Sequence, residues 1–193
     1  MNCNRCHLCT EATKQCLPSG SSSPLIYIVG EAPGKEEDEA GVPFIGRSGK
    51  YLREMLALEG VPDQFVRMFN IVRCIPRNGA GVRAPSDEEK EACHEYLYAD
   101  ILKHHPRIVL TLGGTSSSYL LKDEFSTITK TRGIFKHGIE ISYVWNGSKI
   151  SDKISVLATF HPSYLIRNGR RPELENLFRG DIAKAMNYAM GRL

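Results

Sequence analysis

No apolar run in this chain is long enough to cross a bilayer, and its amino terminus, MNCNRCHLCTEATKQC, is too polar to act as a signal peptide. Export and membrane anchoring therefore lack support, and a cytoplasmic address is the expectation. Charge of one sign is also scarce. The 25 basic and 22 acidic residues leave a formal +3, too little to diagnose a nucleic-acid ligand. There is no internal repeat, no linker and no exposed heptad pattern, so residues 1–193 read as one domain, expected to be monomeric with no obligate protein partner. With 41% hydrophobic residues, that domain can bury a substantial core.

Six cysteines are present, and they are unevenly placed. Cys3-x-x-Cys6-x-x-Cys9 and Cys16 lie in a polar leader over residues 1–24. That leader ends in Leu17-Pro-Ser-Gly-Ser-Ser-Ser-Pro24 and shows no hydrophobic period, so only something it grips can order it. Without a secretory signal, ligation is favoured over a disulfide framework. A close pair on the leader and two cysteines bracketing a loop can meet at one metal centre and staple the terminus down. Four thiolates suit tetrahedral zinc as well as an iron-sulfur cluster, and Cys9 or Cys16 could replace one of them.

The stretch Leu25 to Gly49 is the first place to look for a site. Leu25 to Val29 reads as a buried strand, and Gly30, Gly34, Gly41, Gly46 and Gly49 then let the backbone turn tightly beyond its carboxyl end. In an open α/β sheet that is where ligands bind. A helix through Tyr51, Leu52, Met55, Leu56 and Leu58 is stopped by Gly60 and Pro62. Phe65 to Val72 is a second strand that delivers Asn70 and Cys74 near its end. After the breaker-rich stretch 75–86, a capping box at Ser86 and Glu89 opens a helix from Asp87 to about His104. Arg107 to Leu112 is a buried strand of the parallel kind, followed by a short helix through Tyr119 to Leu121. Ile134 to Val144 and Ile154 to Thr159 are β-rich about an Asn146-Gly147 turn, and a last helix runs from Pro172 to Met190. This alternation predicts an α/β fold, a three-layer α/β/α sandwich on a mainly parallel sheet.

Four ordered motifs span nearly the whole chain. They are Cys3-x-x-Cys6; Gly30-Glu31-Ala32-Pro33-Gly34 with Glu37-Asp38, Gly41-Val42-Pro43-Phe44-Ile45-Gly46 and Ser48-Gly49; Asn70-Ile-Val-Arg-Cys74-Ile-Pro76; and His161-Pro-Ser-Tyr-Leu-Ile-Arg167. Together they resemble the family 4 uracil-DNA glycosylases, the iron-sulfur members of their superfamily. The resemblance implies the fold of that superfamily and hydrolysis of the N-glycosidic bond of deoxyuridine in DNA, with release of uracil and an abasic site, in base-excision repair. It also implies a [4Fe-4S] cluster on Cys3, Cys6, Cys74 and Cys93 that holds the leader. No soluble cofactor is called for, and no lysine stands in a nucleophile motif, so lyase activity is not expected.

The resemblance also implies roles. Phe44 stacks on the extruded base, and Asn70 offers the donor and acceptor that read the O4 and N3–H edge of uracil. His161 donates to uracil O2 as negative charge develops on the leaving base. Glu37 contacts the base or positions water, Glu31 is the other nearby carboxylate, and Glu31, Ala32 and Pro33 line the substrate. Ser163, Leu165 and Arg167 face DNA, with Leu165 as a wedge and Arg167 as a phosphate contact. The basic excess from His161 to Leu193 suits such a backbone. Taken without the resemblance, Phe44 is a core residue, Asn70 a turn cap, His161 structural and the charges from Lys35 to Glu39 a solvated turn.

One departure stands out. Where the family has Asn-Arg-x-Pro, this chain reads Val82-Arg83-Ala84-Pro85, with Asn78 displaced into an insertion. Two alternatives follow: a catalytically weak or inactive, cluster-containing nucleic-acid-binding accessory protein, or a glycosylase for another deaminated base such as hypoxanthine or xanthine.

Overall fold

The computed structural model describes residues 3–79 and 81–193. In chain order the elements are α1 (Leu8–Glu11), β1 (Ser19–Gly20), β2 (Ile26–Gly30), α2 (Lys35–Ala40), α3 (Arg47–Leu58), β3 (Val66–Asn70), β4 (Arg77–Asn78), β5 (Gly81–Val82) and α4 (Asp87–His104). Then come β6 (Ile108–Leu112), α5 (Gly113–Leu121), α6 (Ile128–Thr131), β7 (Phe135–Trp145), β8 (Ser148–Thr159), α7 (Pro162–Arg167) and α8 (Pro172–Ala189). One six-stranded sheet has the order β1-β3-β2-β6-β8-β7, and β4 and β5 form a separate small hairpin. Strands β3, β2, β6 and β8 are parallel to one another, while the edge strands β1 and β7 are antiparallel to their neighbours.

Every residue of β2 and β6 is buried, because helices cover both faces of the sheet. Alternate side chains sort into two cores. Ile26, Ile28, Met68 and Leu110 meet Leu52 and Met55 of α3 and Phe178 and Ile182 of α8. Tyr27, Val29, Phe69 and Val109 meet Leu97 and Ile101 of α4 and Leu120 of α5. Each such aliphatic or aromatic side chain contributes about 1.5–3 kcal/mol on burial. The layered α/β/α arrangement is the expected one. Among the described residues no helix is long and apolar enough to cross a membrane.

Local departures from the sequence reading have physical causes. The second strand is shorter than read, Val66–Asn70, and its last bond to β2 is from Ile71 N–H to Gly30 O at 3.0 Å. The eighth strand begins at Ser148 rather than Ile154: its first half pairs with β7 beyond the helical layers, so both sides stay exposed and no apolar period marks it. The polar segment KEEDEA of α2 is held by Gly34 at its start and by Gly41, at φ 77°, at its end. Residues 162–167, to which the sequence reading assigned no element, form α7, with His161 as N-cap and Pro162 at the first helical position.

Candidate active site

A cleft of about 770 Å³ opens at the carboxyl ends of the parallel strands, where Gly30, Asn70, Gly113 and His161 come together. Glu31, Ala32, Pro33 and Glu37 line it from the β2–α2 loop, and Phe44 and Arg47 line it from the approach to α3. At its base a side chain on Gly30 is impossible: a Cβ there would lie 2.4 Å from Asn70 Oδ1 and 2.5 Å from Phe44 Cζ. The missing side chain is what lets the aromatic ring and the amide meet at one strand end. Phe44 itself is in the left-handed region, at φ 57°. Such a residue carries strain of about 1–3 kcal/mol and persists where its surroundings over-determine it. Gly49 of α3 makes room for it, since a Cβ at that position would stand 2.0 Å from Phe44 O. Phe44 and Asn70 are both buried within the cleft wall.

Glu37 sits one turn into α2 and accepts from two backbone amides, Gly34 N–H at 3.1 Å and Gly46 N–H at 2.9 Å. It ties the two glycine turns on either side of the cleft to each other. Glu31, half-buried on the same wall, is the other carboxylate of the pair named from sequence.

His161 is fixed from behind. Its Nδ1 accepts from Ser163 N–H at 3.1 Å and contacts Ser163 Oγ at 2.7 Å, while Ser163 Oγ accepts from Arg167 Nη1 at 3.0 Å. An Nδ1 that accepts a backbone N–H carries no proton, so the bonding assigns the proton to Nε2. Burial, then the Arg167 charge, pushes the imidazole down to about 4. The ring is thus neutral near neutral pH and presents an N–H donor. Gly113, at φ +86°, allows the β6–α5 turn to approach, for a Cβ there would fall 2.9 Å from His161 Cβ. Nothing in the sequence pointed to Gly113, nor to the Arg167–Ser163–His161 chain.

The expected DNA-facing triplet is corrected at one member. Leu165 is fully buried in the core beneath α7, because the turn begun at Pro162 directs it inward, and it is not a surface wedge. Tyr164 is the large side chain that the same turn exposes beside the cleft, at 38%. Arg167 is exposed at the rim, and Ser163 is engaged by His161 and Arg167.

The β4–β5 hairpin supplies the opposite lip through Val82, Arg83 and Ala84. Arg83 grips Glu89 with both terminal nitrogens, at 2.6 and 2.8 Å, and Glu89 also closes the capping box of α4 on Ser86 N–H at 2.7 Å. Val82 is half-exposed at the lip.

The thiols gather behind this lip. Cys74 and Cys93 are buried with Leu8 and Val72, and Cys6 and Cys9 pack against them. Burial pushes Cys74 up to about 12 and Cys93 to about 11, and the charges of Cys6 and Cys3 add to both, so these four groups share one neighbourhood. Cys16 stands apart: its thiol donates to Glu37 O at 3.1 Å, and burial pushes it up to about 12. Among the described residues no three His, Cys, Asp or Glu side chains converge as one metal ion would require. The leader is fastened by Asp38, fully buried, which accepts from Thr13 N–H at 3.0 Å and from Arg77 Nη2 at 2.8 Å.

A strand-end cleft with a paired aromatic and amide, facing a neutral histidine on a proline-started helix, defines a class. The family model of the uracil DNA glycosylase superfamily matches residues 17–183, and the chain belongs to that superfamily. The chain is 38% identical to the type-4 uracil-DNA glycosylase of Thermotoga maritima over 186 residues, 96% of this chain and 88% of that protein. It is 32% identical to that of Archaeoglobus fulgidus over 187 residues, covering 95% and 86%, and 35% identical to that of Sulfurisphaera tokodaii over 195 residues, covering 98% and 81%. Within the superfamily it is a member of the type-4 uracil-DNA glycosylases.

Proposed function

We propose that this chain is a monofunctional uracil-DNA glycosylase of base-excision repair, acting as one domain on uracil-containing DNA in the cytoplasm. The observation that carries the reading is His161 at the wall of the cleft that contains Phe44 and Asn70, with its Nδ1 taken up by Ser163 N–H so that Nε2 is the nitrogen left to donate. An extruded uracil stacks on Phe44, and the Asn70 amide reads the O4 and N3–H edge, a pattern that cytosine inverts. As the bond to the sugar breaks, the Nε2–H of His161 stabilises the charge that develops on uracil O2. Glu37 acts as a positioning residue for the loop, through Gly34 and Gly46, and the Glu31 carboxylate favours the developing sugar cation. Tyr164 enters the stack as the base leaves, and Arg167 holds a phosphate.

The reading includes a [4Fe-4S] cluster on Cys3, Cys6, Cys74 and Cys93. Cys74 and Cys93 with Cys6 and Cys9 packed against them, Cys3 lining the adjoining cleft with Arg73, and the Arg73 Nε buried without a partner among the described residues fit an anionic iron-sulfur group. A polynuclear cluster, unlike one tetrahedral zinc ion, does not need its thiolates to meet at a point. When bound, it staples the leader and the lip; base release itself is the work of the cleft residues.

Single-turnover base release from oligonucleotides containing uracil, hypoxanthine or xanthine tests this. Uracil release that falls roughly 10²-fold or more in His161→Ala is the expected result, by the cost of losing one donor to a developing anion. Release of another deaminated base in preference to uracil would favour the relaxed-pocket reading suggested by Val82. No release of any base with DNA still bound would leave a binding protein.

A further inference from the structure

Arg73 is the one buried side chain among the described residues with an unpartnered nitrogen: it is 7% exposed, and its Nε has no hydrogen-bond partner. No carboxylate among the described residues pairs with it, although a buried cation is costly without an anion. Its other contacts fix it beside the leader that carries Cys3 and Cys6. It immediately precedes Cys74 in the chain. Its Nη2 donates to Gln15 Oε1 at 3.0 Å, and Gln15 in turn donates to Cys3 O at 2.9 Å. The guanidinium lies 4.2 Å from the centroid of the Tyr96 ring, which Arg5, next to Cys6, also contacts at 4.8 Å. The side chain therefore has one fixed position beside the thiols.

We propose that Arg73 is the counter-cation of the iron-sulfur cluster, with its free Nε–H donating to a cluster or cysteinate sulfur. This rests on the cluster reading above. Four thiolates around a doubly positive core leave a net dianion, which supplies both the charge and the soft acceptor that Arg73 lacks. A cation and a donor at the sulfurs stabilise the more reduced cluster, so Arg73 raises its potential and slows its loss. Arg73 is a positioning and tuning residue and takes no part in base release.

The test uses full-length parent, Arg73→Met and Arg73→Lys, purified anaerobically without DNA. Iron and acid-labile sulfide are counted, the midpoint potential of the reversible one-electron couple is read by spectroelectrochemistry, and cluster loss to a chelator is followed by visible absorbance. Arg73→Met is expected to shift the potential down and to lose cluster about tenfold faster, as outer-shell changes do. Arg73→Lys, which returns the charge, recovers most of the potential, a rescue that a purely structural role does not predict. Parental potential and loss rate in Arg73→Met overturn the proposal. If Arg73→Met does not fold, Arg73→Gln replaces it, and equal potentials in the Gln and Lys variants likewise overturn it. A parent without iron and sulfide overturns the cluster reading itself, and that result precedes any variant.

Discussion

The His161 ring is held in its tautomer by Ser163 N–H and in its neutral state by burial and Arg167, and each has a measurable consequence. With the folded imidazole near 4 and the unfolded one near its ordinary value of 6.5, the folded state binds the proton less readily. Stability is therefore complete above about pH 6.5 and falls as pH drops toward 4, by something of the order of 3 kcal/mol in all. Thermal unfolding across pH 4 to 7, compared with His161→Asn, checks this: the variant should lack the part of the slope between 6.5 and 4. Base release from folded enzyme should show no inflection near 6.5 in the same range. Gly30→Ala tests the meeting of Phe44 and Asn70. A methyl 2.4 Å from Asn70 Oδ1 displaces the amide or the ring, so release should collapse, with about 1–3 kcal/mol of stability lost to overpacking in a denaturant titration. At this scale the motif spacing made Asn70, Phe44 and His161 legible, since residue type and strand ends are written in the chain. Leu165 was misread because a motif says which residues are near the cleft and not which way a one-turn helix points them. The left-handed φ of Phe44 has no sequence mark, because phenylalanine does not itself prefer that region and the space for it comes from the missing side chain at Gly49.

Among the elements, those with a long apolar period or a cap were legible from sequence, and those held by tertiary bonds were not. Helix α4 begins where Ser86 and Glu89 close their capping box and ends at His104, as read, because both signals are local. Helix α2 has no apolar face to read. It exists because Glu37 and the buried Asp38 bond to chain segments distant in sequence. That makes Asp38 a joint between the leader and the β4–β5 lip, gripping Thr13 N–H on one side and Arg77 on the other. Asp38→Ala leaves Arg77 and Thr13 N–H without their acceptor. It should cost about 1–3 kcal/mol, the range for buried hydrogen-bonding groups left without their partner, since Arg77 itself is partly exposed to solvent. Limited proteolysis provides the check: cleavage within residues 9–16 should precede any cut in the sheet. Equal rates of cleavage in variant and parent would remove Asp38 from this role.

At the scale of the whole molecule, the sheet and the thiol neighbourhood are separately built, and that separation is testable by metal removal. The strands β2, β3, β6 and β8 are covered on both faces by apolar side chains that owe nothing to the cysteines. Their layered order was legible because buried parallel strands alternate with helices at readable spacing. The third apolar cluster is small, Leu8 and Val72 with Cys74 and Cys93, and the leader adds little else to bury. A segment with so few apolar contacts opens at low free energy unless a bond closes it, and a cluster that joins Cys3 and Cys6 to Cys74 and Cys93 closes a long loop. Stripping iron with a chelator should therefore expose the leader and the Val82–Arg83–Ala84 lip to amide hydrogen exchange, while β2 and β6 keep their protection. Because Arg83 and Glu89 join that lip to α4 one turn before Cys93, base release should fall along with the leader's protection, and DNA binding through Arg167 should persist. Loss of protection in β6 at the same chelator concentration would instead make the cluster part of the folding core. Unchanged exchange in the leader would show that Asp38 and Gln15 hold it without the cluster.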